Sequence, residues 1–312
     1  MHLNWNIGLS KCLPIRSNLN LKRKGNKRGL ETRVIGFCLM GNDFHLLVRM
    51  HPGEEYSDEE IKKRFSLLYG DEKNRNLGDG QIPSLREKWA DLSQYVKEIK
   101  QTFSRFYNRL HNRKGFFWSE RFKSVIVDNG DTLINCLAYI DLNPVRAGLA
   151  EKPEDYRWCS LGYHMQTNNK DGFLSLDFGL REFGPSGMRS AVTSEFHPDG
   201  ITTSRAFHWA GGASVKKQTE RLNIYRRFVH GKGFLEALEI QEDEPFDTGA
   251  IEKFKYRSRY FTDSGIIGTK TFVAHHYQTF KHIFSSKHEK RPKTIQGMEG
   301  IYSLKRLSQA YE

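Results

Sequence analysis

The chain has no paired cysteines. Its four, Cys12, Cys38, Cys136 and Cys159, stand far apart and form no C-x-x-C pair. That distribution excludes the usual zinc spacings and a secreted disulfide scaffold. No run approaches the ~20 apolar residues that a bilayer-crossing helix needs, so no membrane partner is expected. No apolar segment with a cleavage site stands at the start, so no signal peptide is read, and a cytoplasmic, nucleoid-associated setting is expected. A G-x-x-x-x-G-K-[ST] phosphate loop is also missing, which argues against a nucleotide cofactor. There is no internal repeat of solenoid period.

Basic residues, by contrast, are abundant. Lys and Arg number 49 against 37 Asp and Glu, a net charge of +12 over 312 residues. A chain this basic commonly meets a polyanion, because each neutralised phosphate releases counterions and adds affinity. Solubility alone, or a ribosomal or membrane-surface habit, would give the same balance. The length suffices for one large domain or two ordinary ones.

Residues 1–32 are rich in Asn and Lys, show no period of two or of 3.6, and read as a basic N-terminal arm. The apolar run Val34-Ile35-Gly36-Phe37-Cys38-Leu39-Met40 is followed by Gly41-Asn42, a two-residue turn signal, and by a returning strand from Asp43 to Met50. A short helix is expected around Asp58–Leu68. From Leu92 to Leu110 the apolar residues Leu92, Val96, Ile99, Phe103, Phe106 and Leu110 recur at helical steps. An extended segment is expected within Phe116–Val127. A second helix should open near Asp131, where an acidic residue suits the positive helix end, and stop near Asn143 because Pro144 disfavours helical backbone before it. Residues 166–214 read as a linker, and 215–312 as a basic, mainly helical accessory region.

Two groups of residues could carry chemistry. On the returning strand, Asp43 and His45 project from the same side, a spacing that can offer a carboxylate and an imidazole to one hard cation such as Mg²⁺ or Mn²⁺. An ordinary surface pair has the same spacing. On the second helix, Tyr139 and Asn143 lie one turn apart. A phenol there can serve as a nucleophile, and an amide oxygen can complete a metal shell. The plainer alternative is a core tyrosine with a helix-ending asparagine.

The stretch Tyr139-Ile140-Asp141-Leu142-Asn143-Pro144-Val145-Arg146-Ala147-Gly148, followed by Pro153-Glu154-Asp155-Tyr156-Arg157-Trp158-Cys159-Ser160, resembles the signature of the REP-associated tyrosine transposases, within the single-tyrosine HUH transposases. Residues 36–48, the basic helix Phe103–Arg113 and Phe117-Trp118-Ser119-Glu120-Arg121-Phe122-Lys123 agree with that family in order and spacing. Together these stretches cover roughly residues 33 to 165. Residues 253–306, including Arg259-Tyr260-Phe261-Thr262-Asp263, are similar to a C-terminal extension of some members.

The resemblance implies an α+β fold, with an antiparallel sheet carrying helices in the ferredoxin-like HUH palm. The tyrosine transposase catalytic domain would span 33–165. It also implies DNA as partner, single-stranded and flanked by hairpins. Tyr139 would attack the scissile phosphate to leave a 5′-phosphotyrosine, with His45, Asn143 and Asp43 around Mg²⁺ or Mn²⁺. Family dimers can pair one subunit's tyrosine with the other's ligands, so a homodimer belongs to the expectation.

Two departures stand out. Asp43 replaces the first histidine of the family's His-hydrophobic-His pair, and its oxygen sits nearer the backbone than an imidazole nitrogen would. Residues 1–32 do not show the strand and helix that usually precede the hairpin, which suggests a truncated or decayed copy. A catalytically degenerate DNA-binding relic or regulator is therefore the rival expectation. Lys97, Lys100, Arg105, Arg109, Arg113, Arg121, Lys123 and Arg146 are the expected DNA contacts, although charge on a helix is as readily a solvated face. Arg146 could equally stabilise the turn after Pro144, and Trp118 could stack on a base or sit in the core.

Overall fold

The computed structural model describes residues 33–41, 43–50, 56–69, 77–170, 172–175, 215–231, 258–284, 288–305 and 307. The expected basic arm, most of the expected linker, and Lys253, Lys255 and Arg257 lie outside them. The described chain is α+β and divides into two compact units, one formed by residues up to 122 with 163–175, the other by 123–162 with 176 onward.

In the first unit, β1 (Arg33–Met40) and β2 (Asp43–Arg49) form the expected hairpin, paired antiparallel with Cys38 opposite His45 and Met40 opposite Asp43. Gly41 takes φ 52°, which a two-residue hairpin turn requires and glycine adopts without steric cost. Val34, Ile35, Phe37, Cys38 and Leu39 are buried, and the Phe37 ring meets Tyr163 and Phe173 edge-on. Helix α1 (Asp58–Tyr69) opens on a reciprocal capping box: Ser57 N–H donates to Glu60 Oε2 (3.0 Å) and Glu60 N–H to Ser57 Oγ (3.3 Å). It packs on α2 (Ile82–Ala90) through Ile61, Ile82 and Trp89. Helix α3 runs from Leu92 to Leu110, as its periodicity predicts, with Asp91 accepting from Ser93 N–H as its cap. Its apolar stripe, Val96, Ile99 and Phe103, is buried.

In the second unit, β3 (Ile126–Val127) is all that forms of the extended segment expected within Phe116–Val127. Helix α4 (Asp131–Asp141) is buried from Thr132 onward. The helix stops just before Asn143, as Pro144 leads one to expect. The chain restarts as the one-turn helix α5 (Asn143–Arg146), with Pro144 in the first turn, where its missing N–H has no partner to lose. Helix α6 (Ser160–Thr167) is divided between the two units after Gly162, and α7 (Val215–Val229) and α8 (Ser258–Asp263) follow in the second.

Among its described residues the C-terminal region holds more helix than strand. Along with helix α9 (Lys270–Thr279), it contributes β4 (Ile266–Gly268), β5 (Lys293–Ile295) and β6 (Met298–Ser303) to a mixed four-stranded sheet of order β3-β4-β6-β5. The antiparallel hairpin carries Asp43 and His45 as expected, and the fold has a second sheet, in which β3 and β4 run parallel. No described helix is long and apolar enough to cross a membrane.

One close approach fixes the entry to α6. A Cβ at Gly162 would lie 2.1 Å from the Tyr156 carbonyl oxygen. Gly162→Ala should therefore lower stability by about 1–3 kcal/mol, read as a shifted urea midpoint with unchanged slope.

Candidate functional site

Helix α4 lacks a polar face because its unit surrounds it. Tyr139 is buried at 4% exposure, and its ring stacks on Phe261 of α8 (centroids 5.0 Å apart, planes at 16°). The Arg146 guanidinium lies 4.6 Å from the centroid of the same ring. Asn143 is buried too. Its side-chain oxygen accepts from Arg146, and its Nδ2 donates to the Ile140 carbonyl (3.4 Å). The unit thus brings Tyr139, Asn143 and Arg146 together, as their helical spacing predicts, and adds Phe261. Arg146 engages the turn after Pro144 and the tyrosine at once.

Sequence reasoning did not single out Asp141, the residue at the centre of the motif. It is fully buried, accepts from Leu161 N–H (3.0 Å) and accepts from the Tyr225 hydroxyl (2.6 Å). Leu161 is the second residue of α6, so a side chain on α4 supplies the acceptor that the helix start needs and places negative charge at its positive end. Burial pushes the Asp141 carboxyl up to about 6, even though hydrogen bonds from Tyr225, Leu161, Ser160 and Cys159 pull it down. Burial and the adjacent carboxylate together hold the Tyr225 phenol well above its ordinary range. The available clue was a carboxylate at the end of the apolar run Cys136–Ile140, just before another apolar residue, Leu142.

Glu154 was also missed. It accepts from Arg226 Nε and pairs with His230 Nε2, both at 2.8 Å, tying the Pro153–Asp155 turn to α7. Burial would raise its carboxyl, but the bonds from His230 and Arg226 prevail and take it down to about 2.

Asp43 and His45 belong to the first unit, and they come together as the two-residue period predicts. His45 Nε2 lies 3.6 Å from Asp43 Oδ2, and Asp43 Oδ1 accepts from Phe44 N–H (2.8 Å). Among the described residues no group of three or more His, Cys, Asp or Glu could hold a metal ion. The third expected donor, the Asn143 oxygen, belongs to the second unit and is taken by a guanidinium.

Of the expected DNA contacts, Lys97, Arg105, Arg109, Arg113 and Arg121 are exposed. Lys97, Arg105 and Arg109 follow one another at steps of eight and four along one side of α3. Lys100 is committed elsewhere. Its ammonium donates to the Glu120 carbonyl (2.6 Å) over the Trp118 ring, and burial lowers its basicity. Lys123 is exposed but paired with Asp263 at 3.0 Å. Trp118 is half-buried against Phe44, Phe103 and Phe117, which is the core alternative for that residue. No protein-family model, curated protein or solved structure matches the chain.

Two outcomes follow. The folded Asp141 carboxyl titrates near 6 against an ordinary 3.8, so its contribution to stability is complete below about 3.8 and is lost as pH rises through 6. At ~1.4 kcal/mol per pH unit this is about 3 kcal/mol. Asp141→Asn should abolish that decline in urea midpoints between pH 4.5 and 7. Separately, Phe261→Ala should open the Tyr139 ring, and nitration by tetranitromethane, mapped by mass spectrometry, should rise several-fold at Tyr139.

Proposed function

We propose that this chain is a transposase-like protein of the single-tyrosine HUH class that engages single-stranded, hairpin-flanked DNA. The order and spacing of the motifs in residues 33–165 support the class. The observation that carries DNA engagement is α3: its apolar stripe is buried, while Lys97, Arg105 and Arg109 remain exposed beside Arg113 and Lys114. Such cations would fix the register of a strand through its phosphates, without reading bases. A nucleoid-associated location accords with that role.

In strand cleavage the Tyr139 phenol oxygen would displace the 3′ oxygen of the scissile phosphodiester. A 5′-phosphotyrosine forms, and the phenol proton leaves with the freed 3′-hydroxyl. The bond energy is conserved in the adduct, so rejoining needs no nucleotide. This chemistry requires Phe261 and Arg146 to withdraw from the ring.

A second reading, a DNA-binding relic or regulator without strand chemistry, is favoured by a specific observation. Tyr139 is buried under Phe261, and Asn143 is occupied by Arg146, while Asp43 stands where the family has histidine.

Incubation with short hairpin DNAs, with and without Mn²⁺, followed by denaturing electrophoresis, separates the two. Strand transfer predicts a covalent adduct that disappears in Tyr139→Phe and increases in Asp43→His. Binding without an adduct in either the parent chain or Asp43→His supports the regulator. Absence of DNA binding would overturn both.

A further inference from the structure

Phe116 is 97% exposed, yet the loop that carries it is held on both sides. After α3 the chain turns through Asn112 (φ 49°) and Gly115 (φ 93°), left-handed conformations that fold it back along the helix. Arg113 N–H donates to the Asn108 carbonyl (2.7 Å), and Asn108 Nδ2 donates to the Gly115 carbonyl (2.8 Å). On the other side, the Phe117 ring sits within 5 Å of Phe103, Tyr107 and Trp118. Trp118 Nε1 then donates to the Lys100 carbonyl (3.0 Å). The residues immediately before and after Phe116 are therefore anchored while its ring points into water.

Leaving a phenyl ring in water forgoes the stabilisation its burial would give. Leu110 nearby in sequence is 58% exposed. The 21 residues 99–119 contain five Lys or Arg and no Asp or Glu. An apolar protein partner would gain nothing from that charge. An unpaired base would use all of it: the ring supplies a stacking face, and the cations meet the phosphates on either side.

We propose that Phe116 is a stacking platform for an unpaired base of single-stranded DNA, with Arg109, Arg113 and Lys114 holding the flanking phosphates. This rests on the DNA-binding reading above and names the feature that would distinguish a single strand from a duplex. Bases in a duplex already stack on each other and offer no free face, so the ring contributes only where the strand is open.

The test is fluorescence anisotropy of the full chain with labelled oligo(dT) and with a duplex of equal length. Phe116→Ala should weaken oligo(dT) binding roughly 5- to 100-fold and leave duplex affinity unchanged. The dependence of log K on log salt should keep its slope, because the phosphate contacts remain. Phe116→Trp should restore affinity and show extra quenching of tryptophan fluorescence on addition of oligo(dT). If the parent chain binds oligo(dT) and Phe116→Ala binds it equally well, the platform is overturned while DNA binding stands. If the parent chain binds neither DNA at low salt, both fall. Tighter binding to the matching RNA oligonucleotide would overturn the choice of DNA.

Discussion

The second unit is organised around one carboxylate that has no access to water. Asp141 ends α4, accepts from the start of α6 and accepts from Tyr225 on α7, so three helices converge on its two oxygens. A buried donor lacking an acceptor costs about 1–3 kcal/mol, so the acceptor that Asp141 offers these groups is worth a sizeable part of that. Glu154 closes the same region from the other end of the connection, through Arg226 and His230 on α7. The segment 139–160, which carries the most diagnostic sequence in the chain, is therefore also a structural joint.

That double duty bears on Tyr139. It precedes Asp141 by two residues on the same helix, so anchoring one limits the travel of the other. The ring is covered by Phe261 and touched by Arg146, and Arg146 is committed to Asn143. Helix α8, which carries Phe261, is held through Asp263. Burial acts to raise the Asp263 carboxyl, but its pairing with Lys123 and Arg259 keeps it below the ordinary carboxylate range. Opening the tyrosine by moving α8 would break the Lys123–Asp263 pair and uncover Tyr260 and Phe261, which are buried. Moving α4 would mean breaking the bonds to Asp141.

How much of this could be read from the sequence depended on range. Helix α3 was legible because Leu92, Val96, Ile99 and Phe103 keep helical steps; its Asp91 cap came from the structure. The hairpin was legible from Gly41-Asn42, and the side-by-side placement of Asp43 and His45 from the period of two. Strand β4 was not, since three residues have no periodicity and Ile266 pairs with Ile126, far back in the chain. Strands β5 and β6 pair locally through Ile295 and Met298, but β5 is only three residues long and the basic composition around it reads as helix. At the site, Tyr139, Asn143 and Arg146 were brought together by local spacing. Phe261 was not, because its contact with Tyr139 is non-local. Asp141 was overlooked because a charge within an apolar run reads as an exposed exception, not as an anchor. Lys100 and Lys123 were counted as free cations when each has a partner.

The functional account joins a shielded tyrosine in one unit to an open cationic helix in the other, and DNA engagement by that helix is its central claim. The salt dependence of single-strand binding tests it most directly. With three to five phosphates neutralised from α3 and the loop after it, log K should fall against log salt with a slope of roughly −2 to −3.5. Arg105→Gln and Arg109→Gln should each reduce the magnitude of that slope by about 0.7. A slope near zero, or one indifferent to both substitutions, would contradict the account.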